Sequence, residues 1–198
     1  MKKNIFFIAI MFVSVFVHAQ TCSDDKHPHA IDLGLPSGTK WSCCNMGANK
    51  PEEYGTYYAY GEIEEREIYD DKSYRDVIFR SAHVLPDYDV ATVKWKGSWR
   101  MPESSEIEEL FDNCTSEWKT VNDIKGRLFT GKNGNSVFLP AGGKIILFSN
   151  ESVGKLGHYW TSSQSGEKNA WYFFFHNENV GMHDGRKYQG LLIRPVSK

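Results

Sequence analysis

At 198 residues, with 23 Lys and Arg against 25 Asp and Glu and a formal charge of −2, the chain is long enough for one domain with a sizeable core. That balance lacks both the basic footprint of a nucleic-acid binder and the polybasic patch of a membrane-surface protein. An aromatic share of 14% together with 17 glycines points to a β-rich, turn-rich domain and away from a helix bundle.

Lys2 and Lys3 precede an apolar run over residues 5–17, and Val17-His18-Ala19 has the small-x-small form of a cleavage site. Residues 1–19 therefore read as a secretory signal peptide, too short for a membrane span. Cleavage leaves Gln20 first, with 21 basic against 25 acidic residues and a charge near −4. A lipid anchor on Cys22 is the rival reading, but Gln20-Thr21 lacks the small residue that such an anchor needs. The mature chain is expected outside the cytoplasm, in the periplasm, at the cell surface or secreted, with no membrane span. Residues 20–29, with His27-Pro28-His29, read as a polar tail, and 30–198 as a single domain.

Residues 30–35 and 39–43 read as short strands joined by the turn Pro36-Ser37-Gly38. A loop over 45–54 leads to 55–61, a β-prone stretch bounded by glycines and expected as a strand. Glu62, Glu64, Glu65, Glu67, Asp70 and Asp71 lack the ligand register of a calcium loop, so 62–93 reads as a solvated loop ending in a helical turn at 90–93. The stretch Gly97-Ser98-Trp99-Arg100-Met101-Pro102 then organises the chain. From Pro102, Ile107, Leu110, Phe111 and Cys114 recur at helical spacing, which predicts a one-sided helix. Ser104 or Ser105 is the expected cap, with Glu108 completing a capping box, and Trp99 and Cys114 pin the two ends.

Beyond the helix, 127–130 and 136–139 flank Gly131-Lys132-Asn133-Gly134, a hairpin signal. Residues 140–157 read as a loop with an apolar patch at 145–148, and 164–168 as a turn. Strands are expected at 159–162, 170–175, 179–182 and 191–195. The run Trp171-Tyr172-Phe173-Phe174-Phe175 places aromatics on both faces, the pattern of a central strand covered on two sides.

The four cysteines, Cys22, Cys43, Cys44 and Cys114, favour disulfides in an exported chain. Neighbours on a strand point to opposite faces, so Cys43 and Cys44 cannot both reach Cys114. The expected bond is Cys44–Cys114, with Cys22–Cys43 as the remainder. The cysteine spacing is not that of a zinc site, and no metal or cofactor is expected. A Gly-x-Ser-x-Gly elbow, a His-Glu-x-x-His pair, a phosphate loop and a dinucleotide fingerprint are all missing from the sequence, so the reading is non-enzymatic. His176, His183 and Asp184 bracket one turn, and His158 reads as a packed strand-end residue. Together His176, Asn177, Asn179, His183, Asp184, Arg186 and Tyr188 make the candidate ligand-binding tip, mixing adaptable polar groups with a flat aromatic.

Trp41-Ser42-Cys43-Cys44-Asn45-Met46-Gly47-Ala48, Tyr57-Tyr58-Ala59-Tyr60-Gly61-Glu62, Trp99-Arg100-Met101-Pro102 and Leu110-Phe111-Asp112-Asn113-Cys114 follow one another in order. Gly134-Asn135-Ser136-Val137-Phe138-Leu139-Pro140, Tyr159-Trp160-Thr161-Ser162 and Arg194-Pro195-Val196 continue the series. With these motifs, over about residues 30–196, the chain resembles the Fibrobacter succinogenes major paralogous domain family, exported proteins of gut bacteria. The resemblance implies an α+β domain of C-type lectin-like fold, with small antiparallel sheets, one or two short helices and long loops, whose first and last strands pair. That superfold includes sugar-binding lectins and formylglycine-generating enzymes. The chain lacks the Glu-Pro-Asn, Gln-Pro-Asp and Trp-Asn-Asp motifs of the former and any cysteine after Cys114, which the latter need. What the resemblance implies is a non-catalytic surface module holding a protein or glycan through its loops. The alternative is a structural or accessory subunit of a surface assembly.

Overall fold

The computed structural model describes residues 27–75 and 81–198. The expected signal peptide, the cleavage site before Gln20 and Cys22 lie outside the described residues. In chain order the strands are β1 (Ala30–Asp32), β2 (Lys40–Ser42), β3 (Thr115–Val121), β4 (Ile124–Thr130), β5 (Ser136–Pro140) and β6 (Lys144–Ile146). They continue as β7 (Ser149–Glu151), β8 (Gly157–Gln164), β9 (Asn169–Phe175), β10 (Val180–Arg186) and β11 (Val196–Ser197). Helices α1 (Val90–Trp95) and α2 (Ser104–Asn113) fall between β2 and β3.

Among the described residues the strands pair antiparallel and gather into small sheets ordered β1-β2-β11, β3-β4-β5, β10-β9-β8 and β6-β7. The chain is thus α+β, built from small antiparallel sheets with short helices. One core joins three of the sheets to α2: Trp41, Ile107, Leu110, Phe129, Leu139, Tyr159, Phe173, Phe175, Leu192 and Val196 are all buried in it. Among the described residues no helix is long and apolar enough to cross a membrane.

The C-terminus closes the fold on β2, since Val196 lies opposite Trp41 while the other edge of β2 takes β1. The last strand therefore pairs with the second rather than the first. Just before it, the Arg194 side chain is 1% exposed and spreads its guanidinium over four acceptors. Nε donates to Asn45 Oδ1 at 2.7 Å, Nη1 to Ser42 O at 3.0 Å, and Nη2 to Phe138 O at 2.7 Å and Pro51 O at 3.4 Å.

The organising stretch does start a helix, but with different caps. Glu106, not Glu108, reaches back to accept from the Glu103 N–H at 2.9 Å, and Ser104 N–H is taken by Ser163 Oγ. Glu106 also accepts a forked pair from Arg100, at 2.6 and 2.7 Å, and a bond from the buried Thr39 hydroxyl at 2.9 Å. Trp99 packs edge-on against Trp95 of α1, which pins the approach to the helix rather than the helix itself. Stretch 55–61 is not a strand. Gly55 and Gly61, at φ 75° and 73°, turn the chain at both ends, and among the described residues it makes a single bridge, Tyr58 to Leu191. The acidic stretch after it is more than a solvated loop, because Tyr69 and Tyr74 are buried beneath it.

The expected Cys44–Cys114 bond is not formed. Cys44 lies with Cys43 and Ala48 in a small apolar cluster, whereas Cys114 packs against the main core as a thiol. Burial, followed by the nearby Glu109 charge, pushes that thiol up to about 11. Cys43 and Cys44 do not take opposite faces of a strand, because β2 ends at Ser42. The chain bends at Cys43 and Cys44 and brings their Sγ atoms to 3.7 Å on one side. The Cys22–Cys43 pairing rests on Cys22, outside the described residues.

Candidate functional site

Strand β9 sits between β8 and β10, and its two faces differ. Phe173 and Phe175 point inward with their cross-strand partners Met182 and Val180, onto Phe111, Phe129 and Trp118. The opposite face carries Tyr172 and Phe174, and both stay half-buried. The expectation of a strand covered on two sides holds for the inner face and partly for the other, where Tyr172 packs against a second buried cluster while Phe174 stays half-open.

On the half-open face the register places His183 opposite Tyr172, Gly181 opposite Phe174, and, from β8, His158 opposite Phe174 and Trp160 opposite Tyr172. Three imidazoles gather around the Phe174 ring. His183 stands edge-on at 5.1 Å, His158 edge-on at 5.5 Å and His176 edge-on at 5.6 Å between centroids. His183 also stacks near-parallel on Tyr172 at 6.1 Å. Such edge and offset arrangements are the favoured geometries of aromatic rings. Beside Phe174 the sheet is bare: a Cβ built on Gly181 meets nothing within 4 Å. The result is a platform of rings, inner edge buried and outer edge open.

The turn that follows β9 is braced from beneath. Arg127 on β4 donates through Nη1 to His176 O at 2.6 Å and Asn179 O at 3.1 Å, and through Nε to Ser116 Oγ at 3.1 Å. Within the turn, His176 N–H donates to Asn179 O, and Glu178 N–H to His176 Nδ1. The exposed Asn177 and Asn179 side chains thus stand on a stiff turn at one end of the platform.

The candidate tip residues do not form one cluster. His176, Asn177 and Asn179 are at the turn, and His183 lies mid-strand on the ring face. Asp184 belongs to the other face, opposite Trp171, and accepts from Asn169 and Ser165 at the far end of the ladder. Arg186, opposite Asn169, and Tyr188, packed among Ala59, Tyr69 and Tyr74, complete that far end. Asp184 pairs with Trp171, four residues short of Phe175, so at about 3.3 Å per residue it lies roughly 13 Å along the ladder from the turn and does not meet His176. Reading the sequence missed Tyr172, Phe174 and His158 as site residues. The available signal was period-two alternation inside the aromatic run, which sets Tyr172 and Phe174 on the face away from Phe173 and Phe175.

His158 anchors the inner edge of the platform, 3% exposed, with Nδ1 lacking a hydrogen-bond partner among the described residues. Burial, then the Lys144 charge, holds its pKa down at about 4, against the slight upward pull of the Gly143 backbone. An unfolded histidine titrates near 6.5, so between about pH 6.5 and 4 the unfolded chain takes up the proton first. Stability is therefore expected to fall as pH drops through that window, by about 3 kcal/mol in total for this group. Urea melts of wild type and His158→Gln from pH 7 to 4 check this. The wild-type decline should be markedly flatter in the variant, and parallel curves would contradict the assignment.

No family model, curated protein or solved structure matches the chain.

Proposed function

We propose that this protein is an exported, non-catalytic binding module of C-type lectin-like kind, which holds a glycan or a protein on the ring face of β8–β10. The observation that carries the reading is Phe174, left half-open beside the bare Gly181 and ringed by His158, His176 and His183. A flat ring surface packs against the apolar C–H face of a sugar. The neighbouring imidazoles and the Asn177 and Asn179 amides offer donors and acceptors to its hydroxyls. Large rigid rings contribute contact area at low conformational cost, and side-chain amides adapt to the ligand around them. This chemistry favours a glycan over a protein partner. The sequence resemblance and the leader-like N-terminus support export.

The test is binding of the mature chain to a glycan array, with Phe174→Ala and His183→Ala beside wild type. Each variant is expected to weaken binding about tenfold, the worth of one aromatic contact and its burial. Arg186→Ala, at the far end of the ladder, should bind like wild type. Equal binding by all four proteins would refute the ring face as the site.

A second reading has its own observation. Hairpin β6–β7 displays Leu147 and Phe148 at its turn, the latter 75% exposed, a small apolar projection suited to a neighbouring subunit. As an accessory subunit of a surface assembly, the protein would bind no glycan, and Phe148→Ser would release it from envelope complexes.

A further inference from the structure

Where β2 ends, the chain brings two soft sulfur donors and an imidazole together. The Cys43 and Cys44 Sγ atoms are 3.7 Å apart, His27 Nδ1 is 3.2 Å from Cys43 Sγ, and all three atoms lie within 4.8 Å of one another. We propose that His27, Cys43 and Cys44 form a binding site for a thiophilic d10 metal ion, zinc(II) or copper(I).

The sulfur–sulfur spacing is that of a coordination shell, and His27 Nδ1 stands close enough to join it. With Zn–S near 2.3 Å and Zn–N near 2.0–2.1 Å, a tetrahedral ion spaces two sulfurs about 3.8 Å apart and a sulfur and nitrogen about 3.6 Å apart. The Cys43–Cys44 spacing needs almost no change to take an ion, the His27–Cys43 spacing needs to open by about 0.4 Å, and His27 Nδ1 stands within 4.8 Å of Cys44 Sγ. The strand end is what permits this. On a continuing strand the two cysteines would diverge, but the bend after Ser42, braced by Ser42 Oγ donating to Cys44 O at 2.8 Å, turns both inward.

The surroundings suit a thiolate. The His29 backbone N–H donates to Cys43 Sγ at 3.2 Å, and the Cys43 N–H returns a bond to His29 O at 2.9 Å, so the tail and the bend hold each other. A backbone donor aimed at sulfur lowers the cost of its negative charge. The His29 ring stands edge-on to His27 at 5.3 Å and limits its rotation. Both cysteines are fully buried, and Ala48, Ile31 and Trp95 pack against them. Two sulfurs and one imidazole exclude magnesium and calcium, which take oxygen, and select zinc(II) or copper(I).

The test is metal titration of the full mature chain, purified anaerobically with thiols reduced. One equivalent of zinc(II) or of copper(I) should be taken up in competition with a chromophoric chelator. Cobalt(II) in the zinc(II) position should give an intense thiolate-to-metal absorption band, and bound zinc(II) should raise the thermal midpoint. His27→Ala lies on the tail, outside the core, and leaves folding intact. It should weaken binding by more than the roughly 10–100-fold that loss of an outer-shell contact costs. Cys44→Ser, checked for folding by circular dichroism, should weaken cobalt binding and cut the band intensity, since only the Cys43 thiolate remains. Binding that survives His27→Ala undiminished, or cobalt bound without a thiolate band, would overturn the proposal. So would freshly isolated protein whose mass and peptide map place Cys43 or Cys44 in a disulfide.

Discussion

Arg194→Met is expected to destabilise the protein by at least about 3 kcal/mol, enough to remove a large part of a domain's stability. Replacing a buried ion by an apolar side chain is often harmless, because its desolvation cost disappears with it. Here the partners stay behind. Ser42 O, Pro51 O and Phe138 O are backbone carbonyls, and Asn45 Oδ1 is fully buried, so a methionine leaves four acceptors facing apolar atoms. A buried group stripped of its partner costs about 1–3 kcal/mol, and two such losses already exceed the relief. Arg194→Lys should recover little, since one ammonium cannot span acceptors that belong to three separate segments. Equilibrium urea unfolding measures both variants. A loss below about 1 kcal/mol for Arg194→Met would show that the closure of the C-terminus on β2 does not depend on this fork.

Glu106→Ala carries the second large effect, about 2–4 kcal/mol. Burial raises the carboxyl's pKa. The Arg100 fork, the Glu103 N–H and the Thr39 hydroxyl together outweigh it, and the net direction is downward. Removal takes the ion partner from Arg100, which keeps its bond to Met101 O, and takes the acceptor from the N-cap N–H of Glu103 and the buried Thr39 hydroxyl. Because the folded pKa lies below the unfolded value, this contribution is complete above the ordinary glutamate range and is lost as pH falls through the folded pKa. Comparing the wild type and Glu106→Ala by thermal melts at pH 7 and pH 3 checks both statements. The gap between the proteins should narrow in acid, and a gap unchanged with pH would contradict the charge assignment.

How much of this was legible in the sequence depends on whether the deciding interaction was local. The Ile107 and Leu110 stripe, the Gly131-to-Gly134 hairpin and the central position of β9 follow from spacing and turn chemistry, and the structure has all three. Strand β3 was not legible. Its Thr, Ser, Glu and Lys dilute the strand pattern, and its turn to β4 uses Asn122-Asp123, both with positive φ, without a glycine to announce it. Stretch 55–61 has strand composition, but Tyr58 and Tyr60 bond to Leu191 and Lys187, partners more than a hundred residues away that no local pattern reveals. The motif residues behind the family resemblance turn out to be mostly structural: Trp41, Asn45, Met101, Leu110, Trp160 and Arg194 are all buried. They build the closure and the core. The ring face of β8–β10 is assembled by cross-strand register, which single-sequence periodicity supplies for β9 alone.

The central claim, that this ring face is the recognition surface, is tested most directly by imidazole-resolved NMR of the mature chain with the glycan that the array retains. The account predicts that the ring signals of His176 and His183, which flank Phe174, shift and saturate together as ligand is added. Those of His27, His29 and His83 should stay in place. Ligand-dependent shifts confined to those three histidines, with His176 and His183 unmoved, would contradict it.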